Sequence, residues 1–245
     1  MSLRERLSAT GSGPLTGPFL AVPAPMVVEI ACGSRPDFVC IDMEHGPIPP
    51  DTGENMVRAA AVHGVPALVR VPGVDAVAIG QTLDWGAAGV LVPRVNTAAE
   101  AQAAVEAARF PPEGHRGAGP GRASGYGRAI LSAVARGRAE TVVALQIETV
   151  AALDNLGAIL AVPGVDLLFV GPGDLGLGLD AAGRSSELAT AIDSILTLCA
   201  TNGRAAGIFA MTRDGLACYG NRIALGIVGS DATILVEGFD RAAGR

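Results

Sequence analysis

The feature that most constrains this chain is a rhythm: short apolar, β-rich runs recur at roughly 30-residue spacing, separated by alanine-rich stretches that suit helices. The strand candidates are Phe19–Val22, Phe38–Met43, Ala67–Val71, Gly89–Val92, Val142–Ile147, Leu167–Val170, Gly207–Ala210 and Ile223–Val228. Many are continuously apolar rather than alternating, as strands buried on both faces of a parallel sheet should be. Helix candidates fall between them at Thr52–His63, Ala76–Gly86, Ala98–Arg109, Val150–Leu160 and Ser186–Asn202. Asp75 and Asn96-Thr97 stand where two of these helices need N-caps. Eight βα units within 245 residues predict an α/β protein with one (β/α)8 TIM barrel, a single domain over 1–245. The stretch from Phe110 to Arg138, dense in Gly, Pro and Arg, interrupts the rhythm and reads as a long functional loop.

Composition then removes function classes. Hydrophobic residues are 49% and charged ones 17%, too apolar for a disordered chain. The net charge of −6 argues against nucleic acid or an anionic membrane as partner, because phosphate binding needs a positive field. No apolar run reaches the roughly 18–20 residues that span a bilayer. The first seven residues, with Arg4, Glu5 and Arg6 among them, lack a signal-peptide core, so a cytoplasmic protein is expected. The four cysteines show no CxxC spacing and are expected to be reduced and buried. All 18 residues of the Lys+Arg count are arginine. Without lysine there is no side-chain amine for a Schiff base, for pyridoxal phosphate or for a P-loop. Any carbanion made here must be stabilised by a metal, by hydrogen bonds or by another cofactor.

In such a barrel, chemistry sits where strands end and βα loops begin. Those positions hold Asp42, Glu44 and His45 after the second strand and Arg70 after the third. Gln146 and Glu148 follow at the fifth, and Gly171-Pro172-Gly173-Asp174 at the sixth. Glu148 and Asp174 are the best metal ligands, an oxygen pair suited to Mg²⁺ or Mn²⁺; the competing reading is that each caps the helix that follows. Arg70 either binds a carboxylate or an enolate oxygen, or closes a structural ion pair inside the rim. His45 is either a general acid/base oriented by Asp42 or a hydrogen-bonded loop histidine. Backbone N–H groups of the Gly-Pro-Gly-Asp turn can hold a substrate carboxylate. His63 and His115 carry no such context, and Arg116, Arg122, Arg128, Arg136 and Arg138 read as a solvated or interface face.

With those residues in view, the sequence resembles the HpcH/HpaI aldolase family, the class II pyruvate aldolases. The resemblance runs from Gly17 to about Glu237 and rests on five segments in register: FVCIDMEHGP, PALVRVPGVD, GAAGVLVPRVNTAAEA, ALQIETVAALDNL and GVDLLFVGPGDLGLGLD. It implies that Glu148 and Asp174 hold a divalent cation (Mg²⁺, Mn²⁺ or Co²⁺) with no organic cofactor. It implies that Arg70 contacts the keto-acid oxygen and that His45, paired with Asp42, is the acid/base. Gln146, Gly173 and Asp174 would hold the pyruvate unit, with Phe19 and Phe209 lining the pocket. Asp84 matches a family aspartate that reaches a neighbouring subunit's site, in homo-oligomers that are commonly hexamers built as trimers of dimers. The implied activity is reversible cleavage of a 4-hydroxy-2-oxo acid to pyruvate and an aldehyde. Two alternatives accompany it: a condensing enzyme that joins an oxaloacetate-like donor to another acceptor, and a non-catalytic 2-oxo-acid-binding barrel. Phe209 and Met211 replace the smaller residues often seen on the seventh strand, which leaves the acceptor open.

Overall fold

A computed structural model describes residues 1–9 and 13–245. The eight strands are β1 (Leu15–Leu20), β2 (Val39–Asp42), β3 (Ala67–Arg70), β4 (Gly89–Val92), β5 (Val142–Ile147), β6 (Leu167–Val170), β7 (Ala205–Ala210) and β8 (Leu225–Ser230). They close in sequence order into one parallel barrel with helices outside, a (β/α)8 TIM barrel. Three of the eight expected strands begin or end where anticipated at both edges: Gly89–Val92, Val142–Ile147 and Leu167–Val170.

Strands β2 to β6 are buried on both faces and β1, β7 and β8 partly so, and alternate residues divide between two cores. Cys40, Leu68, Leu91, Ala144, Leu167, Phe169 and Ile227 share the interior of the barrel. Their neighbours Val90, Val143, Leu145, Leu168 and Val170 pack outward against the helices. This period of two explains why the strands read as unbroken apolar runs. It also dictates which strand-end side chains face into the barrel mouth.

Capping behaves as the sequence indicates. Asp75 accepts from the backbone N–H groups of Val77 and Ala78 at 2.7 and 2.9 Å. Thr97 and Glu100 form a reciprocal capping box at the start of the Ala98–Ala108 helix. The long expected helix from Val150 is two short ones, Val150–Asp154 and Leu156–Leu160, divided at Asn155. The segment expected to be a long loop contains a helix of its own, Ile130–Glu140, none of whose residues is buried. Helices at Pro25–Gly33 and Asp231–Ala242 were not anticipated from periodicity. In the second, the buried Asp231 accepts from the N–H groups of Ala21 and Val22 at 2.9 Å each, which ties the loop after β1 to the start of the last helix.

Candidate active site

The strand register brings Asp42 and Arg70 opposite each other, so two inward side chains on neighbouring strands meet. Arg70 Nε and Nη2 donate to Asp42 Oδ1 and Oδ2 at 2.9 and 2.6 Å, a bidentate fork between two buried groups. The ring of Phe19 lies 4.2 Å from the guanidinium carbon and holds it flat from the β1 side. Burial opposes the positive charge, but the hydrogen bonds and charge of Asp42 outweigh it and hold Arg70 above its ordinary value. The third guanidinium nitrogen, Nη1, is 3.3 Å from Glu44 Oε2. Glu44 continues the inward parity of Cys40 and Asp42.

Across the mouth, Glu148 is only 2% exposed. Its Oε1 accepts from the backbone N–H of Arg94 at 2.8 Å, and its Oε2 accepts from the Gln146 amide. Arg94 sits in the left-handed region at φ 54°, a conformation that costs a non-glycine residue energy and that aims its N–H at the carboxylate. Gly171 occupies the next inward position after Leu167 and Phe169. A Cβ there would lie 2.8 Å from both Gln146 Nε2 and Glu148 Oε2, so only glycine lets β6 pass this close. Burial pushes the Glu148 carboxyl above the ordinary carboxylate value, the Arg94 N–H opposes the shift, and the charges of Glu44 and Asp174 reinforce it.

Asp174 lies in the first turn of the helix Pro172–Ala181, exposed at the rim beside Gly173. With Glu148, Arg94, Thr149, Val150 and Leu177 it lines a recess of about 590 Å³. Phe209, half-buried on β7, packs against Phe19 with ring centroids 5.9 Å apart. The structure therefore gathers Asp42, Arg70, Gln146, Glu148, Asp174, Gly173, Phe19 and Phe209 around one mouth.

Three expectations need correction. The imidazole of His45 is not paired with Asp42: that carboxylate accepts the backbone N–H of His45 at 3.2 Å, while the side chain is 62% exposed with Nε2 nearest to Glu44. Asp84, whose expected place is a neighbouring subunit's site, stands away from the mouth of its own chain and needs no correction. It ends the helix Ala76–Asp84, which runs back toward the strand starts, and its carboxylate meets Arg116 Nη2 at 2.8 Å. There it lines a cavity with Ala67, Ala88 and Thr141, at the opposite end of the barrel. Within one chain it cannot reach Arg70. Arg116, expected on a solvated or interface face, is buried within its own chain over the ring of Phe110 at 4.5 Å. Among the cysteines, Cys32, Cys40 and Cys199 are buried as expected, whereas Cys218 is exposed.

Glu44 and Gly171 stand among the strand-end residues of the sequence without a role of their own, and Arg94 is absent from them. Inward parity from Cys40 and Phe169 would have pointed to Glu44 and Gly171. Nothing in the sequence marks the backbone of Arg94.

The donor set suits a hard divalent cation. Gln146 Oε1 is a buried acceptor without a hydrogen bond, Glu44 Oε2 has only the 3.3 Å approach of Arg70 Nη1, and Glu148 is a buried carboxylate that no cationic side chain contacts among the described residues. Such uncompensated oxygens are costly unless a positive ion is shared among them. Among the described residues, no three His, Cys, Asp or Glu side chains close on one point, so Glu148 and Asp174 would supply two protein ligands and leave further positions open.

Comparison with known proteins identifies the lineage. The family model described as HpcH/HpaI aldolase/citrate lyase matches residues 15–236. The chain belongs to this family. It is an aldolase, a carbon–carbon lyase, on the family's TIM barrel. A 4-hydroxy-2-oxovalerate aldolase from Novosphingobium aromaticivorans is 42% identical over 214 residues, covering 84% of this chain and 79% of the relative. A hydroxypyruvate/pyruvate aldolase from Roseobacter denitrificans is 37% identical over 206 residues, covering 82% and 80%. The crystal structure of an HpcH/HpaI aldolase/citrate lyase family protein from Burkholderia cenocepacia superposes with a TM-score of 0.90 at 33% identity, covering 99% of this chain and 97% of that one.

Proposed function

We propose that this protein is a divalent-metal-dependent pyruvate aldolase that cleaves 4-hydroxy-2-oxo acids reversibly to pyruvate and an aldehyde. The observation that carries the reading is a fork-held arginine opposite a buried carboxylate, Glu148, with which no cationic side chain forms an ion pair among the described residues. Glu148 and Asp174 would hold the cation, which when bound supplies Lewis-acid polarisation of the 2-oxo group. Arg70, locked by Asp42 and Phe19, offers Nη1 to the oxygen on which negative charge develops. The Gly173–Asp174 backbone and Gln146 orient the pyruvate unit. His45 accepts the 4-hydroxyl proton as the C3–C4 bond breaks and returns it in the condensing direction. Phe19 and Phe209 exclude water from the barrel side. The resemblance to both a hydroxyoxovalerate and a hydroxypyruvate aldolase supports pyruvate-type donors with more than one aldehyde. The last helix leaves Ile234, Val236 and Phe239 exposed, which supports a homo-oligomer.

The test uses pyruvate in D₂O with Mn²⁺, followed by nuclear magnetic resonance. Methyl protons should exchange without any aldehyde, EDTA should stop the exchange, and Mg²⁺, Mn²⁺ or Co²⁺ should restore it to differing degrees. Addition of a short aldehyde should then yield a 4-hydroxy-2-oxo acid. Exchange that proceeds unchanged in EDTA, with no metal left in the protein, would refute the mechanism.

A further inference from the structure

We infer that Asn96 is a positioning residue for Glu148: it holds the backbone of Arg94 in the left-handed conformation whose N–H anchors that carboxylate. The inference rests on the reading above, in which Glu148 holds the cation. Arg94 sits at φ 54°, a basin that an arginine seldom occupies unless its surroundings hold it there. Its own side chain does not do so, being exposed and without a hydrogen bond among the described residues. Its carbonyl is held instead. Asn96 Nδ2 donates to Arg94 O at 2.8 Å, and Asn96 Oδ1 accepts from the Thr149 hydroxyl. Thr149 directly follows Glu148, so one carboxamide ties the loop after β4 to the chain beside the carboxylate that this loop must meet.

The carboxamide is itself well anchored. The Asn96 N–H donates to Glu100 Oε2 at 2.7 Å, within the cap of the helix Ala98–Ala108. The Asn96 C=O accepts from Asn155 Nδ2 at 2.9 Å, where the two short helices after β5 divide. The Thr149 oxygen also accepts the Ala152 N–H at 3.0 Å, so its proton is directed to Asn96. Only one orientation satisfies both ends, with the NH₂ against the Arg94 carbonyl and the oxygen against the hydroxyl. Without this side chain the Arg94 carbonyl is released, and the residue relaxes toward the right-handed or extended basins. Its N–H then leaves Glu148 Oε1, which it now meets at 2.8 Å, and the carboxylate keeps only the Gln146 amide.

The experiment titrates metal-free protein with Mn²⁺ by calorimetry, using the wild type, Asn96→Ala, Arg94→Gly and the double variant. Melting temperatures are recorded alongside. Asn96→Ala should weaken Mn²⁺ binding by about tenfold or more, the scale of losing a hydrogen bond behind a metal ligand. Arg94→Gly, which keeps the N–H and enters the left-handed basin freely, should lose less than about threefold. In the double variant the glycine should recover at least about threefold of the affinity lost in Asn96→Ala, because the basin no longer needs to be held. An asparagine that serves only the fold would lower the melting temperature and leave Mn²⁺ affinity within about twofold, which would overturn the inference. A loss of about tenfold in Arg94→Gly would also overturn it, by assigning the role to the guanidinium. So would a double variant that binds no better than Asn96→Ala. Should Asn96→Ala fail to fold, Asn96→Ser, too short to span both bonds, takes its place in the same comparisons. A wild-type protein that binds no Mn²⁺ would overturn the aldolase reading and this inference together. One that binds Mn²⁺ and exchanges pyruvate methyl protons, with Asn96→Ala binding the ion equally well, would overturn this inference alone.

Discussion

At the scale of single residues, the site depends on charges that are held in place instead of being solvated. Arg70 illustrates the point. Its fork is engaged at Nε and Nη2 by Asp42 and stacked by Phe19, a geometry an ammonium cannot reproduce. Arg70→Lys should therefore lose at least about a hundredfold in kcat/KM, the scale of removing one oxyanion donor, even though the charge is kept. Steady-state kinetics showing near-wild-type kcat/KM would mean that Arg70 serves only the fold. Glu148 makes the opposite case, a charge whose burial is unfavourable until a cation arrives. Its folded-state pKa is raised, so its contribution to stability is full below the ordinary carboxylate range and is lost as pH rises through the folded value. At neutral pH, Glu148→Gln should thus melt no lower than the metal-free wild type in calorimetry, while its Mn²⁺ binding heat disappears. A variant that both melts several degrees lower and still binds Mn²⁺ would show a structural carboxylate.

Secondary-structure elements show what periodicity can and cannot reveal. The barrel was legible because doubly buried strands such as Val142–Ile147 and Leu167–Val170 leave continuous apolar runs of the correct length. Caps at Asp75 and Thr97 were legible because a local side chain satisfies a local backbone group. The helix Ile130–Glu140 was not, since it buries no residue and so has no apolar stripe to read. At the site, Arg70, Glu148 and Asp174 stood out as polar groups ending apolar strands. The Asp42–Arg70 fork came instead from register between β2 and β3, a non-local property. The same burial governs thiol chemistry. Cys40 on β2 is fully buried, and desolvation pushes Cys199 on the helix Leu188–Thr201 up to about 11. The stability this thiol contributes is complete below its ordinary value of 9.0 and erodes as pH climbs from there toward about 11. At pH 8 a colorimetric thiol reagent should titrate Cys218 rapidly in the native protein and all four cysteines only after unfolding. Rapid native labelling of Cys40 or Cys199, read by peptide mass, would contradict this packing.

For the molecule as a whole, the absence of lysine removes every side-chain amine, at the Arg70 mouth as elsewhere in the sequence. Incubation with pyruvate and borohydride should leave activity intact and add no mass; a covalent pyruvyl adduct would demand a Schiff base and a different site. The arrangement around the rim has an evolutionary corollary. Residues assigned to the keto-acid donor come from one arc, β1 through β6, with Phe19 stacked on Arg70, whereas Phe209 lies on β7 and Met211 just after it, on the arc that closes the ring through β8. Donor chemistry and acceptor choice then occupy separable arcs of one circle. Drift or directed evolution confined to the β7–β8 side can alter which aldehyde enters while the machinery opposite keeps working, so an ancestral enolate-forming arc could be retained as its acceptors diversified.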